Sequence, residues 1–361
     1  MTSDDLKRKC LDGGRLSTDE ALSLFETLPL CEMGWLADQR RRQIKGSAYG
    51  GQGASIVTYL VDRNINYSNV CTTGCRFCAF YRAADAPDAY VLSHSEIERK
   101  IVALEAIGGT QILLQGGHHP SLKLQDYLSL ISFIKQRFPR INIHGFSAPE
   151  FHHFSEIFKE TVESLLRRFK DAGLGSIPGA GAEILSDRVR RQVAPRKCTA
   201  ERWIEIMRAA HEASFRTTAT MMFGHIETHA ERVEHLQRLR ALQDDTGGFT
   251  AFICWTFQPE NTLLPIQSKS GAHDYLKTLA LSRLFLDNFE NLQASWVTQG
   301  LRIGQLSLEF GANDFGSTMM EENVVSSAGT AFSTTVEEIE SLIRQTKREP
   351  RQRDNFYNLF Q

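Results

Sequence analysis

The sequence has no run of apolar residues long enough to cross a bilayer, and its opening, MTSDDLKRKC, lacks the apolar core of a secretory leader. Nor is there an excess of one charge. The 41 Lys and Arg stand against 43 Asp and Glu, a formal net charge of −2, so no broad positive field exists to attract nucleic acid or an anionic membrane. There is no low-complexity tract, short-period repeat or obvious linker, and with 42% hydrophobic and 23% charged residues disorder and fibre are excluded. Cysteine is sparse, with seven residues at positions 10, 31, 71, 75, 78, 198 and 254 of 361. These features point to a cytoplasmic protein whose thiols stay reduced rather than to a disulfide framework.

What the chain does have, from Gly51 onward, is alternation of β-rich apolar runs with helix-length segments. The expected strands are 56–62, 111–115, 141–146, 175–177, 216–222, 249–257, 294–297 and 305–310. Expected helices occupy 95–107, 124–138, 154–172, 200–213, 229–242 and 272–291. Eight strands with helices between them describe a (β/α)8 barrel over 51–330. Residues 1–50 fall outside the alternation. Ala21, Leu22, Leu24, Phe25 and Leu28 give an amphipathic helix capped by Ser17 or Thr18, so this part reads as a helical cap. Arg40, Arg41 and Arg42 read as a solvated helix face, 347–353 as a polar connection, and 331–361 as a C-terminal helical extension.

Three of the seven cysteines fall within eight residues. Cys71, Cys75 and Cys78 have the spacing C-x3-C-x2-C on a glycine-containing loop after the first strand, at the barrel end where active sites sit. Three thiolates on one loop suit three irons of a cubane cluster, and an iron left without a protein ligand is open to a substrate or cofactor. A zinc knot with a distant fourth ligand is the alternative, although zinc sites more often use paired C-x2-C hooks.

The C-x3-C-x-aromatic-C pattern, with Phe77 in the aromatic place, resembles the signature of radical S-adenosylmethionine (SAM) enzymes. The segments VTYLVDRNINYSNVC (57–71), LLQGGHHP (113–120), GAGAEILSDRVR (179–190), MMFGHIET (221–228), WTFQPENT (255–262) and GANDFGSTMMEENVV (311–325) are similar to the dehypoxanthine futalosine cyclase family of menaquinone biosynthesis. His118 departs from the aliphatic residue expected there. The resemblance implies a TIM-like barrel of the radical SAM type, one 4Fe-4S cluster on Cys71, Cys75 and Cys78, and SAM on its open iron. It implies a 5′-deoxyadenosyl radical that takes hydrogen from the ribose C4′ of dehypoxanthine futalosine, followed by cyclisation onto the aromatic ring. A reductant such as flavodoxin or ferredoxin is implied as partner. Aminofutalosine synthase and the deazaflavin FO synthase subunit are sister readings.

The same resemblance assigns Gln115, Gly116 and Gly117 to the amino group of SAM, and Glu183 fits its ribose hydroxyls. The plainer readings are a Gly-Gly turn and an acid at a helix N-terminus. His225, His118 and His119 follow strands and are the candidate proton-accepting bases, since histidine titrates near neutrality. Gln258, Glu260, Asn261, Glu309, Asn313 and Asp314 are candidate substrate contacts, with Arg63 or Arg82 as a carboxylate partner. Trp255 and Phe257 read as core.

Overall fold

The computed structural model describes residues 2–266 and 268–360. Ten parallel strands run in the order β1 (Ile56–Leu60), β2 (Asp62–Asn66), β3 (Gln111–Gln115), β4 (Asn142–Gly145), β5 (Ser176–Ile177), β6 (Arg216–Phe223), β7 (Phe249–Thr256), β8 (Asn291–Gln293), β9 (Asp314–Ser317) and β10 (Glu349–Gln352). Only Val61 separates β1 from β2, and the two are one bent stave. Its lower half pairs with β9 and β10, and its upper half pairs with β3. The bridge between Arg63 and Met320 continues the β9 edge upward. The sheet therefore closes on itself as an eight-stave barrel, with β10 wedged in at the bottom.

Local chemistry accounts for most helix boundaries. Ser17 with Glu20, Ser93 with Glu96 and Thr228 with Glu231 are capping boxes that start the helices Thr18–Thr27, His94–Glu105 and His229–Thr246. The helix expected over 154–172 is two helices, Ala148–Phe158 and Val162–Ala172. Lys159 adopts a left-handed conformation (φ 56°) and Thr161 caps the second helix through Ser164 N. That second helix buries Val162, Leu165, Leu166 and Phe169, an i, i+3, i+4, i+7 stripe.

Two expected strands are displaced. The segment 305–310 alternates like a strand, yet it lies on the helix Leu301–Ser307 and the turn that follows, and the closing stave is Asp314–Ser317. That stave has no apolar signature because its inward Asp314 is satisfied by Arg353. The strand expected over 294–297 is Asn291–Gln293, and Trp296–Gln299 is a helical turn.

The N-terminal segment is helical, with Ser3–Leu11, Thr18–Thr27 and Leu30–Lys45, and it packs on the barrel's side. Phe25 meets His229 edge-on with ring centroids 4.6 Å apart, and Lys45 reaches Glu290 at 2.6 Å. Arg41 is not solvated as expected. It is fully buried and donates to Asp38 Oδ1 at 2.8 Å and to Ala54 O. The C-terminal segment is only partly helical: after Val336–Gln345 the chain forms β10 and turns into the barrel's lower end. There Arg353 pairs with Asp314, Asn355 Nδ2 donates to Ser176 Oγ at 2.9 Å, and the Arg353 guanidinium lies 4.0 Å over the Tyr357 ring.

Candidate active site

A cavity open at the upper end runs down the inside of the barrel. Among the described residues nothing before Leu60 lines it, so the N-terminal helices do not cover the mouth. Its upper wall carries Cys71, Cys75, Cys78 and Phe77, and no other cysteine lines it. The cysteine loop is clamped on several sides. Cys71 N donates to Arg82 O (3.0 Å), Thr72 N to His118 O (3.0 Å), Arg76 N to Val193 O (2.8 Å) and Leu263 N to Arg76 O (2.7 Å). Gly74 makes the turn inside C-x3-C at φ +60°, where a side chain would be strained.

The donor set suits an iron–sulfur cluster. Three thiols share one wall, and His118 N donates to Cys71 Sγ at 3.3 Å, the kind of outer hydrogen bond that tunes cluster sulfurs. Burial pushes the Cys75 thiol up to about 12, against the nearby charge of Lys197. Cys78 is also raised by burial, opposed by backbone N–H groups of Tyr81 and Phe80. Binding a metal would displace those protons. Between the cysteines, Thr73 Oγ1 is buried without a hydrogen-bond partner. Among the described residues no three His, Cys, Asp or Glu side chains are arranged to hold one metal ion.

Gln115, Gly116 and Gly117 line the same cavity next to the cysteine loop. The glycines are demanded by close packing. A Cβ on Gly116 would sit 2.1 Å from the Tyr67 ring, and one on Gly117 would sit 2.5 Å from Cys71 Cβ. Glu183 is a lining residue too, with its backbone at φ +43°, uncommon for a side-chain-bearing residue. It forms a buried ion pair with Lys197, whose ammonium stands 5.0 Å from the Phe77 ring centre. Burial alone would raise the Glu183 carboxyl, but Lys197 holds it below its ordinary value. Lys197 has no local motif and was not expected from sequence.

The three histidines divide. His118 lines the cavity and stacks on His153 at 4.6 Å, but burial first, then neighbouring cations, lowers its pKa to about 3. His119 lies outside the lining, and its Nδ1 accepts from Ser121 N and Leu122 N. His225 is a correction: it does not face the central cavity, and both ring nitrogens are taken by backbone. Nε2 bonds to Met222 O (3.1 Å) and Nδ1 accepts from Ile226 N (2.8 Å).

The proposed substrate contacts are likewise engaged elsewhere. Arg63 pairs with Glu321, Arg82 with Asp88, Glu309 with Arg348, Glu260 with Lys269, and Asp314 with Arg353. Gln258 accepts from Thr330, Asn261 donates to Ser327 O, and Asn313 Oδ1 accepts from Arg283. The groups that do line the interior include Asp62, Asn64, Asn66, Gln111, His144 and Glu150, together with Trp255, which is not core. Glu150 begins the helix after β4 and accepts from Tyr67 OH (3.1 Å) and Ser147 Oγ (2.8 Å). Burial pushes its carboxyl up to about 7, and that of Asp62 up to about 6. Glu150 could have been suspected from its place just past a strand end, where barrels put reacting groups.

Comparisons with known proteins agree with this geometry. The radical SAM superfamily matches residues 65–239, and the CofH/MqnC C-terminal region matches 246–361. A cyclic dehypoxanthine futalosine synthase of Streptomyces coelicolor is 46% identical over 347 residues, 96% of this chain and 86% of that protein. One from Halalkalibacterium halodurans is 45% identical over 359 residues, covering 99% and 95%. A 5-amino-6-(D-ribitylamino)uracil–L-tyrosine 4-hydroxyphenyl transferase of Methanococcoides burtonii is 38% identical over 368 residues, 99% of both. Among solved structures, HydG, a maturase of the FeFe-hydrogenase, superposes with a TM-score of 0.76 at 16% identity, covering 97% of this chain and 77% of that one. Methylornithine synthase gives 0.70 at 15%, covering 96% and 97%. At those identities the structures speak for the fold.

Proposed function

The chain belongs to the radical SAM superfamily, within the group that carries the CofH/MqnC C-terminal region, and from that premise we propose that it converts dehypoxanthine futalosine to its cyclic form in menaquinone biosynthesis. It is an enzyme of radical chemistry. The observation that carries the substrate is the near-full-length likeness to the two futalosine synthases, closer than the likeness to the 4-hydroxyphenyl transferase.

Cys71, Cys75 and Cys78 would hold a 4Fe-4S cluster, which together with SAM supplies a 5′-deoxyadenosyl radical when bound. The protein's own residues have three tasks. Gln115, Gly116, Gly117 and Phe77 shape the wall beside the cysteines, while Glu183 and Lys197 offer an acceptor and a donor to the polar ends of SAM. The barrel below excludes water: its lower end is blocked by Arg353, Asn355 and Tyr357, which keeps stray hydrogen donors from a reactive carbon. Restoring the aromatic ring after closure releases one electron, which would return to the cluster, and a ring proton. His118, with its pKa near 3, is poorly suited to accept it at neutral pH, whereas the Glu150 carboxyl, near 7, is matched to the task. A low-potential reductant such as flavodoxin or ferredoxin would deliver the electron. Among the described residues no helix is long and apolar enough to cross a membrane.

The test is a substrate panel on the anaerobically reconstituted enzyme. Turnover with dehypoxanthine futalosine, and none with the substrates of aminofutalosine synthase or of the 4-hydroxyphenyl transferase, is expected. The reverse pattern assigns the chain to a sister activity.

A further inference from the structure

The inward face of β4 carries His144, which is 6% exposed and lines the cavity. Its neighbours in register are Leu113 on β3 and Ser176 on β5. Among the described residues the ring has one hydrogen-bond partner, Ser176 Oγ, 2.8 Å from Nδ1. Which of those two atoms carries the proton decides what the other end of the ring can do.

The surrounding bonds settle that question. Ser176 Oγ accepts from Asn142 Nδ2 at 3.1 Å and from Asn355 Nδ2 at 2.9 Å. A hydroxyl has two lone pairs and one proton, so with both lone pairs taken its proton is left for His144 Nδ1. The polarity is set further along the chain of contacts. Asp62 accepts from Gln111, which turns the Gln111 Oε1 towards Asn142 Nδ2 at 3.0 Å and so aims that amide group at Ser176. Nδ1 is therefore an acceptor, and the neutral ring carries its proton on Nε2. Burial, and then the charge of Arg353, push the ring's pKa down to about 3, so it stays neutral.

The Nε2–H group has no protein partner among the described residues. Unlike His152 Nδ1 and His235 Nε2, it is not sealed inside the protein. An oriented donor on a side chain more than nine-tenths buried, left open to a cavity, calls for an acceptor on a ligand. Charge narrows the choice. Among the described residues two cationic side chains line the cavity, and each is spent: Lys197 on Glu183 and Arg353 on Asp314. An anionic ligand group beside His144 would be desolvated without a counter-charge, which favours an uncharged oxygen. The ring offers a donor and no acceptor, so the oxygen it suits has no proton of its own to place. A ketone meets both conditions.

Dehypoxanthine futalosine joins its sugar to its aromatic ring through a ketone. We propose that His144 is a substrate-contacting residue whose Nε2–H donates to that ketone oxygen and so fixes the edge of the aromatic ring that meets the ribose. This rests on the futalosine reading above.

Equilibrium binding to the holoenzyme tests the assignment, using dehypoxanthine futalosine and the analogue with a methylene in place of the ketone. His144→Asn is the sharpest variant, because its Oδ1 can still take the Ser176 proton while its short amide stops before the Nε2 position. It is expected to bind the natural ligand about tenfold more weakly than the wild type does, as loss of one neutral hydrogen bond implies. The wild type should bind the methylene analogue about tenfold more weakly too, and the variant no worse than that, so the two losses do not add. Infrared difference spectra give a second readout that packing alone would not move: the ketone stretch of the bound ligand should lie lower in the wild type than in the variant. Unchanged affinity of His144→Asn, equal affinity of the wild type for the two compounds, full additivity of the losses, or identical ketone stretches would each overturn the proposal. His144→Phe, which also lacks the donor, takes the same tests should the asparagine protein not fold. A wild type that binds neither compound sinks the futalosine reading itself, a result distinct from a wild type that binds both alike.

Discussion

The mouth and the floor of the barrel each bury one carboxylate against one cation, Glu183 with Lys197 above and Asp314 with Arg353 below. The surroundings differ. At the floor, Asp314 also accepts from Thr58 Oγ1 and from Gly316 N, and Arg353 stacks on Tyr357 and donates to Asp354 O, so the pair is saturated by protein. At the mouth, Glu183 sits on a left-handed backbone, Lys197 looks across Phe77, and both line the open cavity. A saturated pair in relaxed backbone closes a structure, whereas a strained pair with a free side is arranged for something that arrives later.

The largest expected effect at the mouth is that of Cys75→Ser. SAM cleavage should be abolished with the circular dichroism spectrum unchanged, and retained cleavage would place the cluster elsewhere. At the floor, Arg353→Ala leaves a carboxylate buried without its cation and should cost about 3–5 kcal/mol in urea unfolding. Lys197→Met sharpens the contrast. SAM binding should weaken by about tenfold, the scale of one lost hydrogen bond, while the loss of stability stays smaller than for Arg353→Ala. Equal destabilisation with unaltered SAM affinity would make the two pairs alike after all.

The remaining effect, one that depends on pH, concerns Glu150. Burial raises its folded pKa to about 7, above its unfolded value, so the favourable contribution of the protonated form is present at acid pH. It is lost as pH rises through about 7. Relative to wild type, Glu150→Gln should therefore gain roughly 2 kcal/mol of stability between pH 5 and pH 8, read from paired urea melts. In turnover the same variant should lose activity, and a variant with full activity removes Glu150 as the proton acceptor.

The comparison of the two ends also marks what could be read from sequence. The mouth was legible as a place, because Cys71, Cys75, Cys78, Phe77, Gln115 and Glu183 follow strands, and all six line the cavity. The floor was not. The DFGS stave lacks an apolar pattern because Asp314 is paired from far along the chain, and the tail read as a polar connection carries the Arg353 that pairs it. Lys197 stayed hidden for the same reason, since its partners Glu183 and Phe77 are joined to it only by the fold. His225 was misplaced because a residue after a strand can turn its ring back onto its own loop, and here the backbone of Met222 and Ile226 rewards that turn.

The most direct test is the ratio of 5′-deoxyadenosine to cyclised product during anaerobic turnover of the reconstituted enzyme with SAM, a reductant and dehypoxanthine futalosine. Equal amounts are predicted, with a product lighter than the substrate by two hydrogens. Formation of 5′-deoxyadenosine with no cyclised product would contradict it.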